Sequence, residues 1–473
     1  MTLMKTPTPL SALVEARARD LDVRTITALS VEGFKSIHDK KSIAIAPLTV
    51  LAGANSSGKS SIMQPLLLLK QTVEASYDPG PLLLNGPNVR LTSYNQLFSK
   101  ISSGGVENRF TCGFSTDGDV TLTQTYAARK ETGIALLESV FAAPSEVTTL
   151  RSDMTSQEVS LALPESAIRY ARSLRESVTP ESDDTGVDDF RWQVGRRRTF
   201  FDLMLSTPGD GRVTFAALPE LVFPLISQLE THIRRVVHVA ALRGHPERTY
   251  ERTTAIGPEF PGTFEHYVAS VIAQWQTNKA DGLDQLGADL QALGLTWKVV
   301  ADVVNDVAIE LRVGRLPKTT RGGSHDLVSI ADVGLGVSQV LPVLVALLVA
   351  EPGQLVYIDQ PELHLHPRAQ SALATVLASA AKRGVRVVVE THSSLLLLGI
   401  QTLVAQGELS TDLVRFHWFS RDPKTGYSKV TSTDLDDAGA FDTDWPEDFG
   451  DVALKTESAY LDAADAVLRA KAL

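Results

Sequence analysis

Residues 53–60 read Gly-Ala-Asn-Ser-Ser-Gly-Lys-Ser, between an apolar run at 48–52 and a helix-forming stretch at 60–74. No other feature restricts the fold as much. A G-x-x-x-x-G-K-[ST] loop works only where a strand delivers the chain into a tight turn and a helix begins at once. Glycine is needed where the backbone curls and its amides approach an anion. The helix start adds free N–H groups and its positive dipole end. Lys59 is therefore expected to neutralise the β- and γ-phosphates of ATP, and Ser60 to ligate Mg²⁺. Gly53, Ala54, Asn55, Ser56, Ser57, Gly58 and Ser61 complete the expected nucleotide loop. Pro65 lies inside the helical stretch and should bend it.

Residues 24–31 and 41–52 are β-branched and alternating, and read as strands leading into this loop. Residues 355–358 and 385–389 are short apolar runs of the kind buried in a parallel sheet, each followed by helix-forming sequence. Alternating strands and helices predict an α/β core. The first of these runs ends in Asp359, an expected Mg²⁺ ligand acting through water at the sheet's C-terminal edge. Gln360 follows, and an amide cannot accept a proton as a general base. Glu362 is the nearest carboxylate, so either it takes that role or hydrolysis is slow and binding is what matters. His364 and His366 alternate with leucine, but two histidines without a third ligand favour a structural or dimer-contact role over a metal site. Gly336, Ser338 and Gln339 sit in a small-residue helix entry, a second candidate anion site. His392 ends the second apolar strand, where it would reach a γ-phosphate oxygen.

At 473 residues the chain predicts a main domain plus insertions. Its net charge of -11 argues against non-specific coating of nucleic acid. The single cysteine, Cys112, excludes an intramolecular disulfide and fits a reducing cytosol. The first twenty residues lack a secretory core, and the run 337–350 is too short to span a bilayer and contains Ser338, Gln339 and Pro342. A cytoplasmic protein without membrane contact is expected. The expected organisation is a tail or helix at 1–22, a first half-head at 23–103, and an α+β insertion at 104–323. A second half-head at 324–430 and a small region at 431–473 follow. Within the insertion, 109–129 reads as a hairpin turning at Asp117-Gly118, 146–175 and 218–239 as helical, and 179–198 as a polar stretch ending in three arginines.

Together these segments resemble the ABC-type ATPase heads of the RecF, Rad50 and SMC group, with a particular likeness to stand-alone AAA-like ATPases related to the overcoming-lysogenization-defect (OLD) family. The likeness is carried by residues 29–36, the phosphate loop, 240–248, 334–339, 361–367 and 390–393. The tail 444–449 looks like a small C-terminal domain found in some of these ATPases. The resemblance implies a central mixed sheet interrupted by the insertion. It makes Gly336 and Ser338 part of a signature that closes over ATP held by another copy, and His392 the switch histidine. Gln96 would sense Mg²⁺, and Arg243 and Arg248 would reach nucleotide or partner, or form loop salt bridges. One loop and one signature per chain then imply a head-to-tail homodimer, or a higher homo-oligomer. The implied function is an ATP-hydrolysing switch acting on nucleic acid or on an effector such as a nuclease or toxin, in DNA repair or antiviral defence. Two alternatives are an OLD-like nuclease, for which the ~80 residues after His392 are few, and an ATP-dependent scaffold with little turnover. Direct DNA contact would use Arg196, Arg197, Arg198, Arg234 or Arg235, whose other reading is solvated charge.

Overall fold

In the computed structural model, β1 (Ile26–Glu32) and β2 (Lys41–Ala44) pair antiparallel, and β3 (Leu48–Gly53) runs through the phosphate loop into α1 (Lys59–Glu74). β4 (Arg109–Thr116), β5 (Thr121–Arg129), β6 (Gly133–Ala143) and β7 (Glu146–Arg151) extend the first pair into a six-stranded antiparallel sheet, ordered β2-β1-β4-β5-β6-β7. The short α2 (Ser156–Ala162) precedes a three-stranded sheet of β8 (Arg191–Arg197), β9 (Phe200–Ser206) and β10 (Val213–Ala216). Next come α3 (Pro224–Arg234), β11 (Val237–Val239), β12 (Tyr250–Glu251), α4 (Val268–Asn278) and α5 (Asp281–Ala292). β13 (Val299–Asn305), β14 (Ala308–Gly314) and β15 (Leu327–Ser329) join β12 in a small sheet. These are followed by α6 (Leu335–Val349), β16 (Leu355–Asp359), α7 (Pro367–Lys382), β17 (Arg386–Thr391), α8 (Ser394–Ala405), β18 (Val414–Arg421) and β19 (Ser428–Thr433). The structure describes residues 25–100, 107–129, 133–144, 146–163, 191–206, 213–216, 224–241, 243–253, 257–316, 326–442 and 458–463. The expected tail at 1–22 and the 444–449 motif lie outside them.

The central sheet has the order β11-β16-β17-β3-β18-β19, parallel except for the final β18–β19 pair. Its strands are apolar on both faces because both faces are covered. Leu48, Val50, Val356, Ile358, Val387 and Val389 point into one core with α4 to α8. Leu51, Tyr357, Val388 and Phe419 point into the other with α1, α3 and the antiparallel sheet. Alternate residues of one strand thus serve two cores. The helix α1 lies between two layers, which is why it is buried nearly all round: Leu68, Lys70, Gln71 and Thr72 are enclosed along with Leu66, Leu67 and Leu69. The Lys70 ammonium is fully buried and satisfied by the Glu74 carboxylate and the carbonyls of Arg234 and Phe260. Cys112 is also buried, and burial pushes its thiol up to about 12.

Several local expectations change. Residues 41–52 form two strands, because Pro47 cannot donate to a ladder; β2 stays with the antiparallel sheet while β3 enters the central one. Residues 146–151 are a strand: Glu146–Arg151 pairs with β6, as its β-branched Val-Thr-Thr run favours. Among the described residues, the helix predicted over 218–239 covers Pro224–Arg234 and stops there, since Val237–Val239 leaves it to pair with Val356–Ile358. Arg191–Arg197, inside the stretch read as polar loop, is strand β8. The segment expected as an insertion supplies β4 to β7 to the antiparallel sheet and β11 to the central one. The 109–129 hairpin forms as read, with Asp119 at φ 54 in its turn.

Two stability predictions follow from the sheet. His417 on β18 is buried, with Nε2 2.8 Å from the Ala44 carbonyl and Nδ1 2.7 Å from Ser432 Oγ. Burial, only partly opposed by the Ala44 carbonyl, depresses its pKa to about 4. The unfolded chain takes up this proton below about pH 6.5 and the native state does not. Stability is therefore lost as pH falls from about 6.5 to about 4, on the order of 2–3 kcal/mol from this residue. Denaturation of His417→Gln across that range should show a correspondingly flatter profile than wild type. Gly53 has φ 145, and a Cβ there would lie 2.1 Å from the Phe419 carbonyl oxygen on β18. Gly53→Ala should cost about 3 kcal/mol, read as a lower urea midpoint at unchanged slope.

Candidate nucleotide-binding site

The loop leaves the C-terminal end of β3, and α1 starts after Gly58, whose φ of 104 no L side chain adopts easily. A Cβ at Gly58 would also meet Ser428 Oγ at 2.1 Å. That serine braces the loop from β19, donating to the Ser57 carbonyl at 2.6 Å. The Lys59 ammonium is buried and folds back over the loop, donating to the carbonyls of Gly53 (2.9 Å) and Ala54 (3.0 Å). Burial lowers its pKa, against the raising influence of Glu390 and Glu362. A cavity of about 240 Å³ opens over the loop, lined by Ser56 to Ser61, Lys35, Ser36, Gln64, Glu390 and Arg421.

Three carboxylates face this loop from the two neighbouring strand ends. Asp359, at the end of β16, places Oδ2 3.4 Å from His238 Nε2, while its Oδ1 is buried with no partner. Glu362 accepts from the His392 backbone N–H at 2.7 Å, and its Oε2 is likewise buried and unpartnered. Burial raises the Glu362 pKa, as a general base requires. Glu390 accepts from Ser60 Oγ at 3.0 Å and from the Tyr357 hydroxyl at 3.0 Å, with Lys59 Nζ 4.0 Å away. Burial, then the charge of Asp359, pushes its pKa up to about 7, against Lys59, Ser60 and Tyr357. His392 is half-buried; burial and the Lys59 charge lower its pKa, partly offset by the Gly53 carbonyl. Gln360 sits at φ 44, a strained conformation for this residue, with its N–H held by the Glu390 carbonyl at 2.8 Å.

The unpartnered oxygens of Asp359 and Glu362, beside a hydroxyl and a helix N-terminus, suit a phosphate-bound hard cation. No cluster of three or more His, Cys, Asp or Glu among the described residues is arranged to hold a metal alone. An ion here would therefore depend on phosphate oxygens for part of its shell.

The other expected site residues are elsewhere. Ser338, on the first turn of α6, donates to the Leu335 carbonyl at 3.0 Å, and Gln339 is buried with its amide on the Gly244 carbonyl at 2.7 Å. Both line a second cavity of about 680 Å³ with Arg243, His245, Glu265 and His266, which contains no phosphate-loop residue. Arg243 spans the gap, donating to the Gln339 carbonyl (2.9 Å) and the Asp359 carbonyl (2.8 Å). Arg248 makes the alternative salt bridge, to Asp332 at 2.8 Å. Gln96 is exposed and accepts from the Thr92 and Ser93 amides in a capping box, so its contacts are local. His364 and His366 are exposed, and His366 caps α7 through the Arg368 amide. The arginines proposed for DNA are engaged internally: Arg196 with Asp78, Arg197 and Arg234 with Glu230, Arg198 with the Val73 carbonyl, Arg235 with Glu351. Asp434 pairs with Arg415, and Asp436 accepts from the amides of its own turn.

Glu390, Tyr357 and His238 were not among the expected site residues. Glu390 directly precedes Thr391-His392, and pairing the two apolar strands in parallel would have set it opposite Asp359. His238 was hidden by reading 236–239 as helix. Its Nδ1 accepts from Asn88 Nδ2 at 3.0 Å, which leaves the N–H on Nε2, facing Asp359.

Residues 25–179 match a family model described as "AAA ATPase domain", and residues 233–398 one described as "AAA domain, putative AbiEii toxin, Type IV TA system". No curated protein matches the chain. Among solved structures, it is similar to an SMC head bound to the C-terminal winged-helix domain of ScpA, at 13% identity and TM-score 0.45 over 88% of this chain and 99% of that one. The SMC head domain from Thermotoga maritima is 10% identical with TM-score 0.39, over 86% and 98%. The Pyrococcus furiosus head with an extended coiled coil, bound to the C-terminal domain of ScpA, is 11% identical with TM-score 0.42, over 86% and 96%. With the phosphate loop seated on β3 and α1, the two matched segments are similar to AAA-type ATPase domains.

Proposed function

We propose that the chain binds ATP with Mg²⁺ in the β3–α1 loop, pairs head to tail with a second copy around that nucleotide, and hydrolyses it to reset the pair. The carrying observation is that Lys59, Ser60, Glu390, Glu362 and His392 meet at one loop, with Asp359 opposite Glu390 on the next strand. Lys59 holds the β- and γ-phosphates, and Ser60 and Asp359 hold the metal, which when bound neutralises phosphate charge. Glu362 takes the proton of the attacking water and His392 donates to the γ-phosphate. Pairing is supported by the separation of the two cavities: Gly336, Ser338 and Gln339 lie outside the phosphate-loop cavity of their own chain. A signature so placed has work to do only on another copy, and the exchange is isologous and closed.

A second reading, a scaffold that binds ATP and scarcely turns it over, is favoured by Gln360 at the position beside Asp359. In either case the switch acts on a further partner, an effector protein or nucleic acid. The likeness of residues 233–398 to the AAA domain of a putative AbiEii toxin favours a toxin or defence setting over repair.

Lys59→Ala should weaken ATP binding by about 10- to 100-fold in a fluorescent-nucleotide titration. Glu362→Gln should keep binding but lower steady-state phosphate release by at least about 100-fold, and should accumulate an ATP-dependent dimer in sedimentation. Undetectable wild-type release would select the scaffold; an unaffected mutant would remove Glu362 as the base. Ser338→Arg should bind ATP as a monomer and fail to dimerise, and dimerisation of that variant would sink the head-to-tail arrangement.

A further inference from the structure

We infer that Glu390 is a positioning residue of the metal–nucleotide site, fixing the Ser60 hydroxyl proton and adding the second carboxylate beside Asp359. The inference rests on the reading of the loop as an Mg²⁺–ATP site. Parallel register sets Asp359 directly against Glu390 on adjacent strands, at the sheet edge from which the phosphate loop departs. Two hydroxyls converge on the Glu390 carboxylate: Ser60 donates to Oε1 and Tyr357 donates to Oε2, each at 3.0 Å.

Both donors need an acceptor, and only a carboxylate offers one on each oxygen; an amide would offer a single acceptor and a misplaced donor. Tyr357 is buried against the layer behind the sheet and so anchors the far oxygen. The near oxygen then holds the Ser60 proton. A serine whose proton is committed in this way keeps its lone pairs for a hard cation, which is the state a Mg²⁺ ligand must adopt. Gln360 adds no charge next to Asp359. The acidic partner that Gln360 does not provide therefore comes from the neighbouring strand. Outer partners of this kind set metal affinity while leaving the organic part of a ligand alone.

The test separates metal from nucleotide. Wild type and Glu390→Gln are titrated with a fluorescent ATP analogue in EDTA, and the nucleotide complexes are then titrated with Mn²⁺ followed by electron paramagnetic resonance. The expected result is metal-free nucleotide affinity within about twofold of wild type and Mn²⁺ affinity lower by about 10- to 100-fold. Tyr357→Phe, which removes only the anchoring hydroxyl, should lower Mn²⁺ affinity by about fivefold and carries the test if Glu390→Gln does not fold. Unchanged Mn²⁺ affinity in the variant that folds overturns the role of Glu390 and leaves the nucleotide site standing. Equal losses of metal-free nucleotide and of Mn²⁺ also overturn it, since they mark a general structural role. Wild-type protein that binds no nucleotide at all overturns the site and the inference together.

Discussion

The parallel pairing of β17 between β3 and β16 is the contact on which the remaining geometry depends. It sets Thr391 against Ala52 and Glu390 against Asp359, and so delivers His392 and two carboxylates to the mouth of the phosphate loop. Side chains on a strand alternate between faces, so a slip of one residue would turn Val387 and Val389 out of one core and Val388 out of the other. Burial on both faces therefore protects the site's register. The cost of a misplaced valine enforces the positions of Glu390 and His392 at the strand's end.

The phosphate loop, β16, β17 and the helices after them were legible because their signals are local: a glycine turn with fixed spacing, and apolar runs too short and too β-branched for anything but buried strands. Asp359, Glu362 and His392 came with those strands. What escaped depends on pairing between distant segments. Val237–Val239 carries no mark that separates three residues of edge strand from the helix before it, yet it brings His238 to Asp359. Residues 109–129 read as an isolated hairpin, although β4 also pairs with β1, about eighty residues upstream, and 146–151 read as helix although they extend the same sheet on β6. Glu390 stood within a recognised motif, but its meaning required the cross-strand neighbour.

Charge placement gives the site its character. Glu362 and Glu390 gather around Lys59, whose ammonium is turned toward loop carbonyls, with Asp359 opposite Glu390 on the next strand. Burial disfavours the ionised states of Glu362, Glu390 and Lys59, raising the two carboxylate pKa values and lowering that of the lysine. A polyanion carrying a divalent cation is the kind of ligand that relieves both sides of this arrangement at once. The strained Gln360 backbone, whose N–H is tied to Glu390, belongs to the same knot.

The half-buried Arg243 has a mechanical consequence. One end of its guanidinium fork grips the backbone near the start of α6, the other the backbone where β16 ends. Any displacement at Asp359 must stretch or drag this strut. In the proposed pair, the surface offered to a neighbour would thereby be geared to the occupancy of the protomer's own loop. In a closed pair each strut would report one nucleotide to the other, and thermodynamic reciprocity would make the message equal in both directions.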